Sequence, residues 1–215
     1  MKIPKNLNEA LLIQKSLKKK LKIVPLKRKI QKIAGFDVSF KEEKNIGIAS
    51  ACVFSFPELE ILETKTLKKK IEFPYIPGFF AFREAPFIKD LFFSLKIKPD
   101  LLILDAHGTA HPLGFGLASQ IGVILKIPTI GCAKNPLYGK YKMPPPKKGS
   151  FSYIFDKDNS IIGAVLRTKD NTKPVFVSPG NLIDLDSSIK IVLLLCKKFR
   201  IPEPLRIAHH LTKTL

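Results

Sequence analysis

Ile33-Ala-Gly-Phe-Asp-Val-Ser-Phe40 and Leu101-Leu-Ile-Leu-Asp105 decide how this chain folds. Both are short apolar runs, the length and composition of buried strands. Each carries an aspartate, Asp37 or Asp105, where the run gives out. With 37 Lys and Arg against 18 Asp and Glu, acids are scarce, and carboxylates at strand ends are most simply explained as holding a cation. A divalent cation between carboxylates and a bound phosphate is the usual equipment for cutting a nucleic-acid backbone. Glu84, in a segment that otherwise reads as an apolar helix, is the next acid in line.

Outward from these runs, strands are expected over about 30–40, 46–56 and 59–67. The short links Lys41-Glu-Glu-Lys-Asn45 and Pro57-Glu58 suit antiparallel hairpins. Pro74 and Pro77 break the pattern, and a helix follows over 79–95. The strand 101–104, a helix over 116–125 and a strand over 129–132 come next. The last third offers strands at 151–155, 161–167 and 175–177, with Asp158-Asn159 and Asp170-Asn171 as turns between them. A helix over 186–199 and another after Pro204 close the chain. Three antiparallel strands followed by alternating helices and strands, flanked by helices, is the order of the ribonuclease H-like α/β fold. In that fold, metal-holding acids stand at the ends of the first and fourth strands, where Asp37 and Asp105 fall. No linker is long or polar enough to divide residues 1–215, so one domain is expected.

The formal net charge is +19, and residues 1–32 supply +10 of it, with eleven Lys and Arg against Glu9. Leu7, Ala10, Leu11, Leu17 and Leu21 recur at helical spacing there. That predicts a basic amphipathic helix over about 5–23, stopped before Pro25. Such charge favours a polyanionic partner, although a solvated lysine face is the plainer alternative. Hydrophobic content of 45% supports a packed core. Cys52, Cys132 and Cys196 lie singly in apolar stretches, as reduced core residues do. No membrane-length run and no signal peptide is evident. A cytoplasmic monomer is the expectation.

The segment Phe73-Pro-Tyr-Ile-Pro-Gly-Phe-Phe-Ala-Phe-Arg-Glu84 fixes a loop with two prolines and a glycine, directly before a helix. A rigid tip of Pro74, Tyr75, Ile76 and Pro77 is what a protein needs to wedge into a base stack as a nucleotide leaves it. Packing of Tyr75 on the core edge is the bland reading. His107 and His111, four apart, have no cysteine partners and glycine between them, which argues against zinc.

These strings, with Asp105-Ala-His-Gly-Thr-Ala-His-Pro112, Pro128-Thr-Ile-Gly-Cys-Ala-Lys134, Phe176-Val-Ser-Pro-Gly180 and Arg200-Ile-Pro-Glu-Pro-Leu-Arg-Ile-Ala-His209, stand in the order of the endonuclease V family. The chain resembles that family over nearly everything after residue 30. The resemblance implies a deoxyinosine-directed endonuclease that nicks DNA at the second phosphodiester 3′ to the lesion, in repair of deaminated adenine. It implies a Mg²⁺ site (Mn²⁺ substituting) at Asp37, Glu84 and Asp105. It gives Lys134 to electrostatic stabilisation of the scissile phosphate, and His209 either to orienting the attacking water or to shielding the leaving group. Gly78, Phe80, Gly108, His111, Gly116, Leu117, Ala133 and Leu137 match the family's lesion pocket. Small residues there let the main chain approach the edge of a flipped hypoxanthine.

The chain departs from the family in three places. Ala106 and Ala85 stand where glycine is usual, and Gln120 where histidine is common. If the glycine at 106 needs φ > 0 or touches the base, the added methyl costs affinity or shifts specificity. Two rival functions belong beside the first: an endonuclease of inosine-containing RNA, and a nucleic-acid-binding protein on this fold without catalysis. The intact set of three acids argues against the last.

Overall fold

The structure, a computed structural model, describes residues 4, 6–76 and 78–214. Nine strands of the described residues form one sheet. In chain order they are β1 (Lys32–Lys41), β2 (Ile46–Ser55), β3 (Ile61–Lys70), β4 (Leu101–Leu104), β5 (Thr129–Ala133), β6 (Lys140–Tyr141), β7 (Phe151–Phe155), β8 (Ile161–Leu166) and β9 (Val175–Asn181). The spatial order is β3-β2-β1-β4-β5-β9-β8-β7-β6, with β1, β4 and β5 parallel and the other neighbours antiparallel. Among the described residues five α-helices accompany it: α1 (Leu7–Lys18), α2 (Phe80–Ser94), α3 (Leu117–Leu125), α4 (Leu185–Leu195) and α5 (Glu203–Lys213).

β4 shows why its run is aliphatic throughout. Leu101 and Ile103 face one core with Val192 and Leu195 of α4 and Leu205 of α5. Leu102 and Leu104 face the other, with Ile88 and Leu91 of α2 and Ile121 of α3. A strand covered on both faces has no polar side to show. β4 and β5 run parallel to β1 but stop level with its middle, because β1 goes on along β2 to Lys41. Asp37 therefore lies within its strand rather than at the strand end expected from the sequence, and Asp105 and Lys134 follow the ends of β4 and β5 on the same side of the sheet.

The docking of α5 depends on a missing side chain. A Cβ on Gly35 would lie 2.3 Å from the carbonyl carbon of Pro204 and 2.7 Å from the nitrogen of Leu205. Glycine in β1 thus lets the helix start lie flush on the strand. Ser50 of β2 donates from its hydroxyl to Ala208 O and fixes the helix further along.

The expected three-strand start and the alternation after it are present, with three shifts worth explaining. α1 ends at Lys18 rather than near residue 23, and Lys5 lies outside the described residues. Its buried face is Ala10 and Gln14, with Leu11 and Leu17 half-buried beside them as the spacing expects, while Leu7 is exposed and the polar Gln14 takes an inward place the leucine spacing left out. β9 runs on through Pro179 to Asn181, past the expected stop at residue 177. Proline is tolerated there because the β5–β9 register is irregular next to the Ile130–Pro179 pair. α4 stops at Leu195, short of Phe199, and the two-residue β6 has too little sequence to announce itself. Asn159 and Asn171 take positive φ of 60° and 54°, as turn asparagines do. The three cysteines are buried and free. Among the described residues, no helix is long and apolar enough to cross a membrane.

Candidate active site

A cavity of about 590 Å³ opens where β4 and β5 end beside the middle of β1. Asp37, Glu84, Asp105 and Lys134 line it, so β1, α2, the end of β4 and the end of β5 each contribute one of the sequence-selected groups. Asp37 is mostly buried and accepts from Thr212 Oγ1 at 2.7 Å; His209 Nδ1 stands 3.2 Å from the same oxygen. His209 itself does not line the cavity but sits half-exposed at its rim. Asp105 pairs with the Lys134 ammonium.

Glu84 is the buried member of the set. Its carboxyl is pushed well above the usual range, first by burial, then by the charges of Asp37 and Asp105, with Arg83 pulling the other way. Arg83 is itself buried, paired to Glu42, with its guanidinium 4.2 Å from the ring centroid of Phe40. A buried carboxyl whose affinity for protons is raised by two neighbouring carboxylates belongs to a set that a hard divalent cation would relieve. In kind, the donors fit such an ion. As the side chains stand, no three His, Cys, Asp or Glu of the described residues converge closely enough to hold one. Lys134 fills the cation's part at Asp105, and Thr212 with His209 occupies Asp37.

The remaining wall matches most of the pocket set. Gly78, Phe80, His111 and Gly116 line the cavity, as do Leu117, Ala133 and Leu137. Gly108 does not; it lies beneath, accepting from Gly116 N and donating to Ser178 Oγ at 2.8 Å. A Cβ on Gly108 would sit 2.1 Å from Pro179 O, so glycine there lets the loop after β4 press onto β9 and raise Gly116 into the wall. Of the proposed wedge, Tyr75 lines the cavity mouth and is 64% exposed, braced edge-to-face on Phe80 with centroids 6.0 Å apart. Pro74 and Ile76 stand behind it, and Pro77 lies outside the described residues.

The histidines divide by environment. Burial first, then His107 and Lys18, drive His111 down to about 4. It is neutral at physiological pH, and its Nδ1 accepts from Leu113 N at 3.2 Å, which leaves the proton on Nε2. His107 Nε2 lies 3.1 Å from Asn135 O, and burial lowers its pKa too. The two form no metal site with other described residues. Ala106 lines the cavity, yet its φ is not positive, so its backbone does not require the glycine usual at that position.

Two residues of the site escaped the sequence reading. Thr212 lies one turn beyond His209, and that spacing puts both on the face of α5 that meets Asp37. Gln14 of α1 also lines the cavity; its signal was an amide between Ala10 and Leu17 on a stripe otherwise apolar.

The family model for endonuclease V matches residues 15–210. Endonuclease V of Dictyoglomus turgidum is 48% identical over 207 residues, spanning 96% of this chain and 90% of that one. The crystal structure of endonuclease V from Streptomyces avermitilis superposes with a TM-score of 0.94 at 35% identity, covering 99% of this chain and 93% of its own. Endonuclease V of Ciona intestinalis, solved with a 24mer DNA containing an inosine followed by a ribo-adenosine, gives 0.84 at 26% identity over 96% of each chain. Sheet order, the acids brought together on β1, α2 and the end of β4, and these relatives agree: the fold is ribonuclease H-like, and the chain belongs to the endonuclease V family, a family of nucleases.

Proposed function

We propose that this protein nicks DNA at the second phosphodiester bond 3′ to deoxyinosine and leaves 3′-hydroxyl and 5′-phosphate ends. The observation that carries the reading is that one cavity is lined both by three carboxylates and by small and apolar residues from the matching family positions. A lesion base held among the latter would bring the phosphate downstream of it toward the carboxylates. The Ciona relative bound to inosine-containing DNA supports the substrate class.

Asp37, Glu84 and Asp105 would hold Mg²⁺, with Mn²⁺ able to replace it; the ion supplies an acidified water and neutralises charge at the phosphate. The chain's own residues do the rest. Lys134, paired with Asp105 at the cavity wall, carries the ammonium that would meet the phosphate as negative charge develops. Thr212 orients Asp37 through its hydroxyl. His209, at the rim beside the same carboxylate, is placed to handle a proton of the attacking water or the leaving oxygen. Tyr75 fills the stack that the lesion leaves.

The test is digestion of matched duplexes carrying deoxyinosine or deoxyadenosine, with Mg²⁺, and of the corresponding inosine RNA. Nicking confined to the deoxyinosine duplex supports the reading. Cleavage of the RNA alone would replace it with an RNA endonuclease, and no cleavage with either Mg²⁺ or Mn²⁺ would leave a binding protein.

A further inference from the structure

α1 contributes to the cavity wall a residue whose chemistry suits no apolar core. Gln14 is 2% exposed on the inward face of the helix, beside Ala10. It lines the cavity that holds the three carboxylates. Its Nε2 donates to Phe115 O at 3.4 Å. A carbonyl only accepts, so this bond sets the amide nitrogen on that side and turns the oxygen away from it. Oε1 is buried with no hydrogen-bond partner.

A buried acceptor left unsatisfied keeps the full cost of having lost its water. Leucine or methionine would fill nearly the same volume without that cost and would extend the apolar stripe of α1. The amide makes physical sense if Oε1 meets its donor when the cavity is filled. Its tether to Phe115 is at the long end of the hydrogen-bond range, so the amide turns at little cost as a ligand arrives.

We propose that Gln14 is a specificity-determining residue whose Oε1 accepts the N1–H of a flipped 6-oxopurine. This rests on the cavity being the lesion pocket. Hypoxanthine carries a hydrogen on N1; adenine carries a lone pair at the same atom. One acceptor at that place therefore gains a bond from the deaminated base and faces repulsion from the normal one, the kind of discrimination that hydrogen bonds to a base edge supply. The basic helix then serves the recess directly, beyond any contact its lysines make with flanking DNA.

The test uses the full-length protein in EDTA, so that binding is read without cleavage. Duplexes carry deoxyinosine or deoxynebularine, whose purine lacks both the N1 hydrogen and O6. Fluorescence anisotropy gives the two dissociation constants, and thermal unfolding checks the fold. The wild type is expected to prefer deoxyinosine. Gln14→Leu is expected to shrink that preference about tenfold, the scale of one buried hydrogen bond, with an unchanged or raised melting temperature. Gln14→Met, which fills the site more flexibly, gives the same reading if the leucine variant does not fold. If either folded variant keeps the wild-type preference, Gln14 reads no base; weaker binding of both duplexes by one factor means that it only tethers Phe115, and likewise overturns the proposal. If the wild type itself shows no preference, the lesion-pocket reading falls and this proposal with it.

Discussion

The two sides of the cavity are built by different means. Asp37, Glu84 and Asp105 come from β1, α2 and the end of β4, elements packed on both faces of a sheet, and neighbours hold them: Thr212 on Asp37, Lys134 on Asp105, burial on Glu84. The other part of the lining includes Tyr75, Phe80 and Leu137, presented on loops or at a helix start, with Tyr75 and Leu137 more than half exposed. Positions that chemistry must hold to fractions of an ångström sit on the rigid scaffold, and groups that must meet a deformed nucleic acid sit on the connections. The two groups should therefore fail differently when altered: one in cutting, the other in binding.

The largest effect belongs to the carboxylate side. Asp105→Ala or Asp37→Ala is expected to lower the nicking rate by more than about 100-fold, since even partners outside a metal's own ligand set cost 10–100-fold. Affinity for inosine DNA in EDTA should stay near wild type. A variant that cuts at the wild-type rate would remove that aspartate from the chemistry. On the loop side, Tyr75→Ala is expected to weaken binding about tenfold, because aromatic–base stacking contributes about 1–3 kcal/mol, while the rate at saturating enzyme changes less. An unaltered dissociation constant would return Tyr75 to the role of a core-edge residue.

Thr212→Val keeps the shape and removes the 2.7 Å bond to Asp37. The expected result is a fall of about tenfold in nicking rate, with binding untouched. Equal losses in both would blur the division between the sides. The smallest effect is on stability. Glu84 has a folded pKa raised above its unfolded value, so the native state binds its proton more tightly, and stability declines as pH rises past the unfolded value of about 4.3. Without divalent cation at neutral pH, Glu84→Gln is therefore expected to melt a few degrees above wild type, at roughly 2–4 °C per kcal/mol for a chain of this size. Adding Mg²⁺ should raise the wild type and narrow the gap. A melting temperature lower than wild type would show that the burial of Glu84 carries no such strain.

The same contrast explains what the sequence could and could not disclose. Asp37 and Asp105 were legible because a strand buried on both faces leaves a polar residue conspicuous, although Asp37 stands within β1, which runs on to Lys41 along β2 beyond the end of β4. Gly35 could be quoted as part of a motif, but only the structure shows Pro204 packed where its Cβ would stand. Gly108 was placed in the recess by resemblance; it lies under Gly116 because the loop after β4 folds down onto β9, a tertiary contact that no local pattern encodes. Gln14 was hidden by its neighbours: leucines at helical spacing drew the inward stripe through Leu7, which is half exposed. The carboxylate side was read from local periodicity, whereas the base side depends on contacts between segments about 100 residues apart, such as Gln14 with Phe115.

The most direct measurement is the position of the cut. An end-labelled duplex with one deoxyinosine, incubated with the wild-type protein and Mg²⁺, is resolved beside a sequencing ladder. The account expects a single nick in the lesion strand at the second phosphodiester 3′ to deoxyinosine, absent from the deoxyadenosine control and from Asp105→Ala. A duplex that is bound but left intact with both Mg²⁺ and Mn²⁺, or cut equally with and without the lesion, would contradict it.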